Sequence, residues 1–445
     1  MPPPVILKMM LLLILYNVRS ERELLATIPE RLDWMWFLGF DLDDEVPDHS
    51  VLSKARARWG TEAFKRFFER IVSQCVQAGL VDGRKLFMDS CLVQANASNN
   101  SVVNTESLKR YLNKGYQKLQ GRLDEAEETA ERQGAANRTH VSTTDPDASV
   151  VRRGGGTSRL KYQVHRVVDE RCEVITATEV STGAVHEAHR MDSLLDAHAH
   201  TTGITAEVCV ADSKYGTIEN YLSCHDRGVK SHFASLETGQ RGSGRQAGIL
   251  PKESFTYDAA TDCFICPAGK RLTRRRFSSQ RQQWEYTASK KMCSRCGLQS
   301  QCTRSKAGRS LKRHLRQQAL DKMLSQTESA QSRRDRKTRQ HLMERSFARG
   351  TRYGIKQARW RRRWRVAIQE YLTATVQNMV VLVRYLKEPL RAAARALSPA
   401  ANMAGGHQRN ARGAAGANAI ASFIRPLVEA GCATFPRELG AFHLA

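Results

Sequence analysis

Three acidic residues have the settings that metal-dependent phosphodiester chemistry would require: Asp89, Asp212 and Glu344. Asp89 closes the apolar run Leu86-Phe87-Met88, and Asp212 closes the run from Ala206 to Ala211 and is followed by Ser213-Lys214-Tyr215-Gly216. Glu344 lies in Leu342-Met343-Glu344-Arg345-Ser346-Phe347, inside a predicted helix crowded with arginine. A carboxylate at the end of a buried strand is costly unless something cationic compensates it. Three that converge offer a hard cation, Mg²⁺ or Mn²⁺, the oxygen ligands it prefers. Two such cations can activate a nucleophile and stabilise the leaving oxygen of a phosphodiester. Taken singly, a strand-end Asp more often caps a turn or pairs with an arginine. Asp82, Asp169, Asp192 and Asp196 are read in that way.

A second set of residues points to a different metal. Cys263-Phe-Ile-Cys266 and Cys293-Ser-Arg-Cys296 are two CxxC knuckles, and Cys302 follows. Four thiolates from such knuckles close the tetrahedron of a structural Zn²⁺ site, so Cys263, Cys266, Cys293 and Cys296 are the expected ligands, with Cys302 as the alternative fourth. Cys75, Cys91, Cys172, Cys209, Cys224 and Cys432 read as packing or incidental residues. His165, His186, His189, His198 and His200 match no standard ligand spacing and are read as satisfied or exposed.

The chain of 445 residues carries 70 Lys+Arg against 45 Asp+Glu, a formal net charge of +25. A field of that size favours polyanions, nucleic acid first. A membrane surface would need an amphipathic or lipidated anchor, and none is evident. The apolar run Val5–Leu15 is too short to span a bilayer and is interrupted by Lys8, so it reads as a buried helix. A cytoplasmic protein with reduced thiols is the expectation. The positive charge concentrates around Glu344. From Gln331 to Arg365 there are 14 Lys+Arg and two acidic residues, Asp335 and Glu344. Such a run is commonly just a solvated face, but beside Glu344 it suits a DNA strand laid over the site. Trp360 and Trp364 could stack on unpaired bases, although burying one face of a helix is the better reading.

These residues need a scaffold. Residues up to about 80 read as helical, with Asp48 or Ser50 as an N-cap. A helix from Thr61 to Ala78 aligns Phe64, Phe67, Phe68, Ile71 and Val72 on one face. Strand sequence begins at Arg84. Lys161 to Val168 and Glu173 to Val180 alternate as strands joined by a tight link, and a helix spans about Asp192 to Thr201. Further strands end at Asp212 and run from Val229 to Ala234. A charged insertion from Glu106 to Arg132 has helical spacing, and Arg153-Gly-Gly-Gly is turn chemistry. Pattern alone gives a mixed α/β fold.

Lys85 to Ser98, Ala211 to Gly216 and Met343 to Tyr385 resemble the DDE transposases of bacterial insertion sequences. The similarity runs from about residue 5 to about residue 388. It implies an RNase H-like mixed sheet with an N-terminal helical region and a Cys-rich insertion domain. The first Asp would lie on the first strand, the second after the fourth, and the Glu on a late helix. The expected divisions are a helical region at 1–80, shortened relative to the family, catalytic segments at 81–237 and 326–388, the insertion at 238–325 and a low-complexity tail at 389–445. The resemblance further implies cut-and-paste chemistry with Asp89, Asp212 and Glu344 as catalytic Mg²⁺ or Mn²⁺ ligands. Arg345 and Lys356 would contact phosphate, joined on charge grounds by Arg349, Arg361, Arg362 and Arg363. The implied partners are double-stranded DNA, as terminal inverted repeats and target, and a second copy of the chain in a homodimeric synaptic complex. The alternatives are an RNase H-like nuclease or resolvase without strand transfer, and an inactive DNA-binding remnant.

Overall fold

The computed structural model describes residues 1–104, 135–152, 156–234 and 249–396. The charged insertion at Glu106 to Arg132, the Arg153-Gly-Gly-Gly turn, the first residues of the Cys-rich segment, the tail after 396 and Cys432 lie outside the described residues. The chain forms two compact units, one made of Met1–Asp212 with the chain from Arg334 onward, the other of Ser213–Arg333. The N-terminal helices therefore share a unit with the sheet, and the second unit starts at Ser213, ahead of the Cys-rich sequence.

The first unit opens with α1 (Pro3–Leu15), α2 (Glu21–Thr27), α3 (Leu32–Leu38) and α4 (Ser50–Gln77). Helix α1 is buried from Ile6 to Ile14, so an apolar sequence with no polar face is what its surroundings require. Even Lys8 is enclosed, its ammonium 5.5 Å from the centre of the Phe37 ring. Ser20 caps α2 by accepting from Glu23 N–H. Within α4 the backbone leaves helical geometry at Gly60 (φ 67°, ψ −177°), so the expected helix does start at Thr61, after a first segment that opens at Ser50. Its aromatic face is buried as the spacing predicts.

The sheet follows: β1 (Lys85–Gln94), the small pair β2 (Val102–Asn104) and β3 (His140–Ser142), α5 (Ala135–Thr139), β4 (Ser149–Val151), β5 (Arg159–Asp169), β6 (Ile175–Thr182), α6 (Met191–Thr202) and β7 (Val208–Val210). Within this unit the order across the sheet is β6-β5-β1-β7, with β4 also pairing to β5. The β1–β5 and β5–β6 pairs are antiparallel, and β1–β7 is parallel. Gly83, just before β1, has φ +75°, and a Cβ there would lie 2.8 Å from the Ile204 side chain, so only glycine fits. Its N–H donates to Asp169 Oδ2 at 2.7 Å, and Asp169 Oδ1 accepts from Arg171 N–H, so Asp169 is a turn-pairing residue.

The second unit contains α7 (Ile218–Asp226) and β8 (Lys230–His232). It continues with β9 (Thr256–Asp258), β10 (Cys263–Ile265), β11 (Arg271–Ser278), β12 (Gln283–Thr287), α8 (Lys290–Ser294), α9 (Gln299–Cys302), β13 (Ser310–His314) and α10 (Gln317–Thr327). Strands β9 to β13 form an antiparallel meander over Phe255, Phe264, Leu272, Tyr286 and Leu311.

Two long helices complete the chain, α11 (Ala330–Arg352) and α12 (Arg363–Ala396). Leu342 and Met343 of α11 and Ala374 of α12 pack with Phe87, Val168, Val210 and the α4 residues Phe68 and Val72 on one sheet face. Arg166 on β5 and Glu370 on α12 lock this layer from within, through a bidentate pair of 2.7 and 3.0 Å. The mixed sheet with late helices across its face is an RNase H-like α/β fold. The stretch Arg363–Leu386 is long and apolar enough to cross a membrane, but 78% of its most apolar window is buried inside the protein, as in a core helix.

Candidate active site

Parallel pairing brings Asp89 and Asp212 together. Lys85, Leu86 and Phe87 align with Val208, Cys209 and Val210. Two residues further along each strand, the same register sets Asp89 level with Asp212, beyond the carboxyl ends of the paired segments. Alternation then puts Asp89 on the face of Phe87, the one that α11 covers. Glu187, in the short turn Glu187–Arg190 before α6, adds a third carboxylate. One oxygen from each of Asp89, Glu187 and Asp212 lies within 4.8 Å of the others, the only such metal-capable group among the described residues.

The surroundings fit a cation. Asp89 is 25% exposed, and burial raises its carboxyl above the usual range. Arg339 and the Ser90 N–H pull the other way, and the charges of Asp212 and Glu187 push it up again. Arg339 Nη1 donates to Asp89 Oδ2 at 2.6 Å, and Ser90 N–H to Asp89 Oδ1 at 2.8 Å. Ser90 Oγ donates to Glu187 Oε2 and accepts from Gln163 Nε2, which fixes Glu187 in place. Three carboxylates whose oxygens lie this close raise the cost of one another's ionisation, and a divalent ion bound between them would offset that charge.

Glu344 is not in this group. It is exposed on α11, where its carboxylate accepts from Gln340 Nε2 at 3.4 Å. The helix turns Leu342 and Met343 inward instead, so the face that reaches Asp89 carries Arg339. Asp335, the other acid of the basic run, is buried and paired to Lys85 at 3.3 Å. Glu187 had no sequence signal: it belongs to no periodic element, and the neighbouring histidines match no ligand set. His186 and His189 meet edge to face, while His165 and His198 are buried and hydrogen-bonded to Ser181 and Thr176.

The basic residues divide by partner. Arg345 and Arg349 pair with Glu173 at 2.5 and 2.6 Å, and Arg362 with Asp147 at 3.3 Å. Arg363 binds Asp147 through its backbone N–H, which holds the start of α12. Lys356 and Arg361 are exposed, with Arg361 Nε on the Asn96 carbonyl. Arg345, Arg349, Arg352 and Arg384 line a groove of about 340 Å³. Trp360 and Trp364 pack on the N-terminal helical core. Trp360 donates to Glu21 and lies under the Arg56 guanidinium at 4.0 Å, so it is a packing residue. In the second unit Cys266, Cys293, Cys296 and Cys302 line one small cavity, whereas Cys263 does not.

Residues 1–58 match a family described as a transposase domain (DUF772), and residues 265–383 match one described as a transposase DDE domain. The second match includes Glu344, α11 and most of α12. No curated protein matches the chain.

Proposed function

Because the chain belongs to the DDE transposases of insertion sequences, we propose that it cuts the ends of its own element and joins them to target DNA, with Asp89 and Asp212 at the scissile phosphate. The observation that carries this reading is the register-matched pair of carboxylates on parallel strands, crowded by Glu187. Asp89, Asp212 and Glu344 would hold Mg²⁺ or Mn²⁺. Ions bound there would activate water and offset charge on the phosphate and the leaving oxygen. Through cations held there, Asp89 and Asp212 would fix the position of the reacting phosphate. Arg339 neutralises Asp89 until the site is loaded, and Gln163 and Ser90 hold Glu187 in place. Water attacks the phosphodiester in line and frees a 3′-hydroxyl, which then attacks a target phosphodiester. Both steps are displacements at phosphorus that need no covalent protein nucleophile, so positioning and electrostatics supply the catalysis.

Double-stranded DNA, as terminal inverted repeats and as target, is the substrate of this reading. The arginine-lined groove and the exposed Lys356 and Arg361 support phosphate contacts. Joining two ends in one event calls for two active sites, hence a homodimer at synapsis, working in the cytoplasm where the chromosome lies. A labelled duplex carrying one element end, incubated with Mg²⁺ and a target plasmid, tests the function: covalent joining is expected, and nicking without joining would make the protein a nuclease. In the same assay Glu344→Gln is expected to abolish cleavage, with Glu187→Gln retaining it. The reverse order would make Glu187, whose carboxylate lies close to those of Asp89 and Asp212, the third ligand in place of Glu344.

A further inference from the structure

Strand chemistry at Asp89 makes no use of the thiols in the second unit. From their placement we propose that Cys266, Cys293, Cys296 and Cys302 bind one structural zinc ion, and that Cys263 is a core residue outside the site.

The four come from three separate pieces of chain. Cys266 follows strand β10 and begins the tight turn Cys266-Pro-Ala-Gly-Lys270. In that turn Cys266 N–H donates to Lys270 O, Gly269 N–H donates to Cys266 O, and Lys270 N–H donates to Cys266 Sγ at 3.3 Å. A backbone donor aimed at the sulfur stabilises a thiolate there. Gly269 has φ +71°, which closes the turn. Cys293 and Cys296 form the second knuckle, with Cys296 N–H donating to Cys293 O at 3.2 Å after α8, and Cys302 ends α9. All four side chains line one cavity of about 30 Å³, together with Lys270 and Arg309. That is about the space of a single water. Gly308 approaches so closely that a Cβ would lie 3.3 Å from Cys293 Sγ. Arg309 donates to the carbonyls of Cys302 and Leu250 and so fixes the Cys302 backbone.

Four thiolates around a divalent ion leave a net charge of −2, which the cations of Lys270 and Arg309 in the same wall can balance. Cys263 lies elsewhere. It is 3% exposed on β10, opposite Thr273 and Asp258, with its sulfur 3.1 Å from Thr261 Oγ1. Among the described residues, no three of the sulfurs all lie within 4.8 Å of one another. Metal binding must therefore draw them in, which is how such sites contribute to folding.

The test uses the full chain purified without chelator. Elemental analysis should give about one zinc per chain, and the zinc-edge absorption spectrum four sulfurs at about 2.3 Å. Cys266→Ser and Cys302→Ser should each lose the metal. Cys263→Ala and Cys263→Val, which keep an apolar group in the same place, should both retain it. A metal-free wild type, iron with sulfide in place of zinc, fewer than four sulfurs in the spectrum, or zinc lost in both Cys263 variants while Cys302→Ser keeps it would each overturn the assignment.

Discussion

Glu370→Gln is the sharpest test of what holds the sheet beneath Asp89. Arg166 stands opposite Asp89 in the β1–β5 register, and its guanidinium is fully buried. Glu370, 2% exposed, takes two of its hydrogen bonds at 2.7 and 3.0 Å and a third from Thr178 Oγ1 at 2.9 Å. Arg166 Nη1 reaches the Ser346 carbonyl at 3.2 Å, so one side chain ties β5 to both α11 and α12. The amide keeps the shape of the carboxylate but leaves the guanidinium without a counter-charge. Breaking a buried pair from one side costs about 3–5 kcal/mol, whereas replacing both partners by apolar groups is often close to neutral. Glu370→Gln is therefore expected to lose about 3 kcal/mol or more, and Arg166→Met/Glu370→Leu to lose clearly less than the sum of its single changes. Thr178→Val, which removes one hydroxyl donor to the carboxylate, should cost less, about 1.5–2 kcal/mol. A chain of two units does not promise one transition. Hydrogen exchange in β5 and α12 under mild urea reads the relevant unit directly. A Glu370→Gln variant within about 1 kcal/mol of wild type, or an additive double variant, would refute the reasoning.

Arg339→Ala removes the cation competing for Asp89 and should tighten Mn²⁺ binding about fivefold, from the roughly 1 kcal/mol of a partly exposed ion pair; unchanged or weaker binding in a calorimetric titration would count against a metal site at Asp89. His198 is held neutral, its pKa lowered to about 4 by burial. Its Nε2 donates to the Gly83 carbonyl, so Nδ1 accepts from Thr176. The unfolded chain protonates this imidazole below about pH 6.5 while the folded chain does not, so stability present above 6.5 is lost as pH falls towards 4, at up to about 1.4 kcal/mol per pH unit. His198→Gln should flatten the stability profile in that window, and an unaltered profile would mean the histidine does not titrate as described. Lys356→Ala/Arg361→Ala should flatten the salt dependence of DNA affinity by about two units of slope, at roughly 0.9 per phosphate contact, and equally on every sequence. A loss confined to the cognate end would signal base reading instead.

Much of the framework was legible because its signals are local. The strand sequences of Lys161 to Val168 and of Glu173 to Val180 predict β5 and β6, and the apolar run before Asp212 predicts the end of β7, whereas β1 runs on past Asp89 to Gln94. The aromatic spacing from Phe64 to Val72 gives the buried face of α4. What sequence could not show depends on contacts made far along the chain. Glu187 joins the acidic corner only because the turn before α6 folds back onto Ser90. The orientation of α11 is set by Leu342 and Met343, whose burial leaves Glu344 outward and Arg339 inward. Spacing offered five cysteines for four positions, and what separates Cys263 is its burial on β10 and its absence from the cavity the other four line. Strand β4 is three residues long, too short for any period to be read.

The central claim is that Asp89 and Asp212 are the metal-binding carboxylates of strand cleavage. The most direct test is cleavage of a labelled element end by Asp89→Asn and Asp212→Asn in Mg²⁺, with DNA binding measured on the same preparations. An amide keeps the shape and removes the charge that a divalent ion requires. Both variants should bind DNA as the wild type does and leave the strand uncut; cleavage at the wild-type rate by either one would contradict the account.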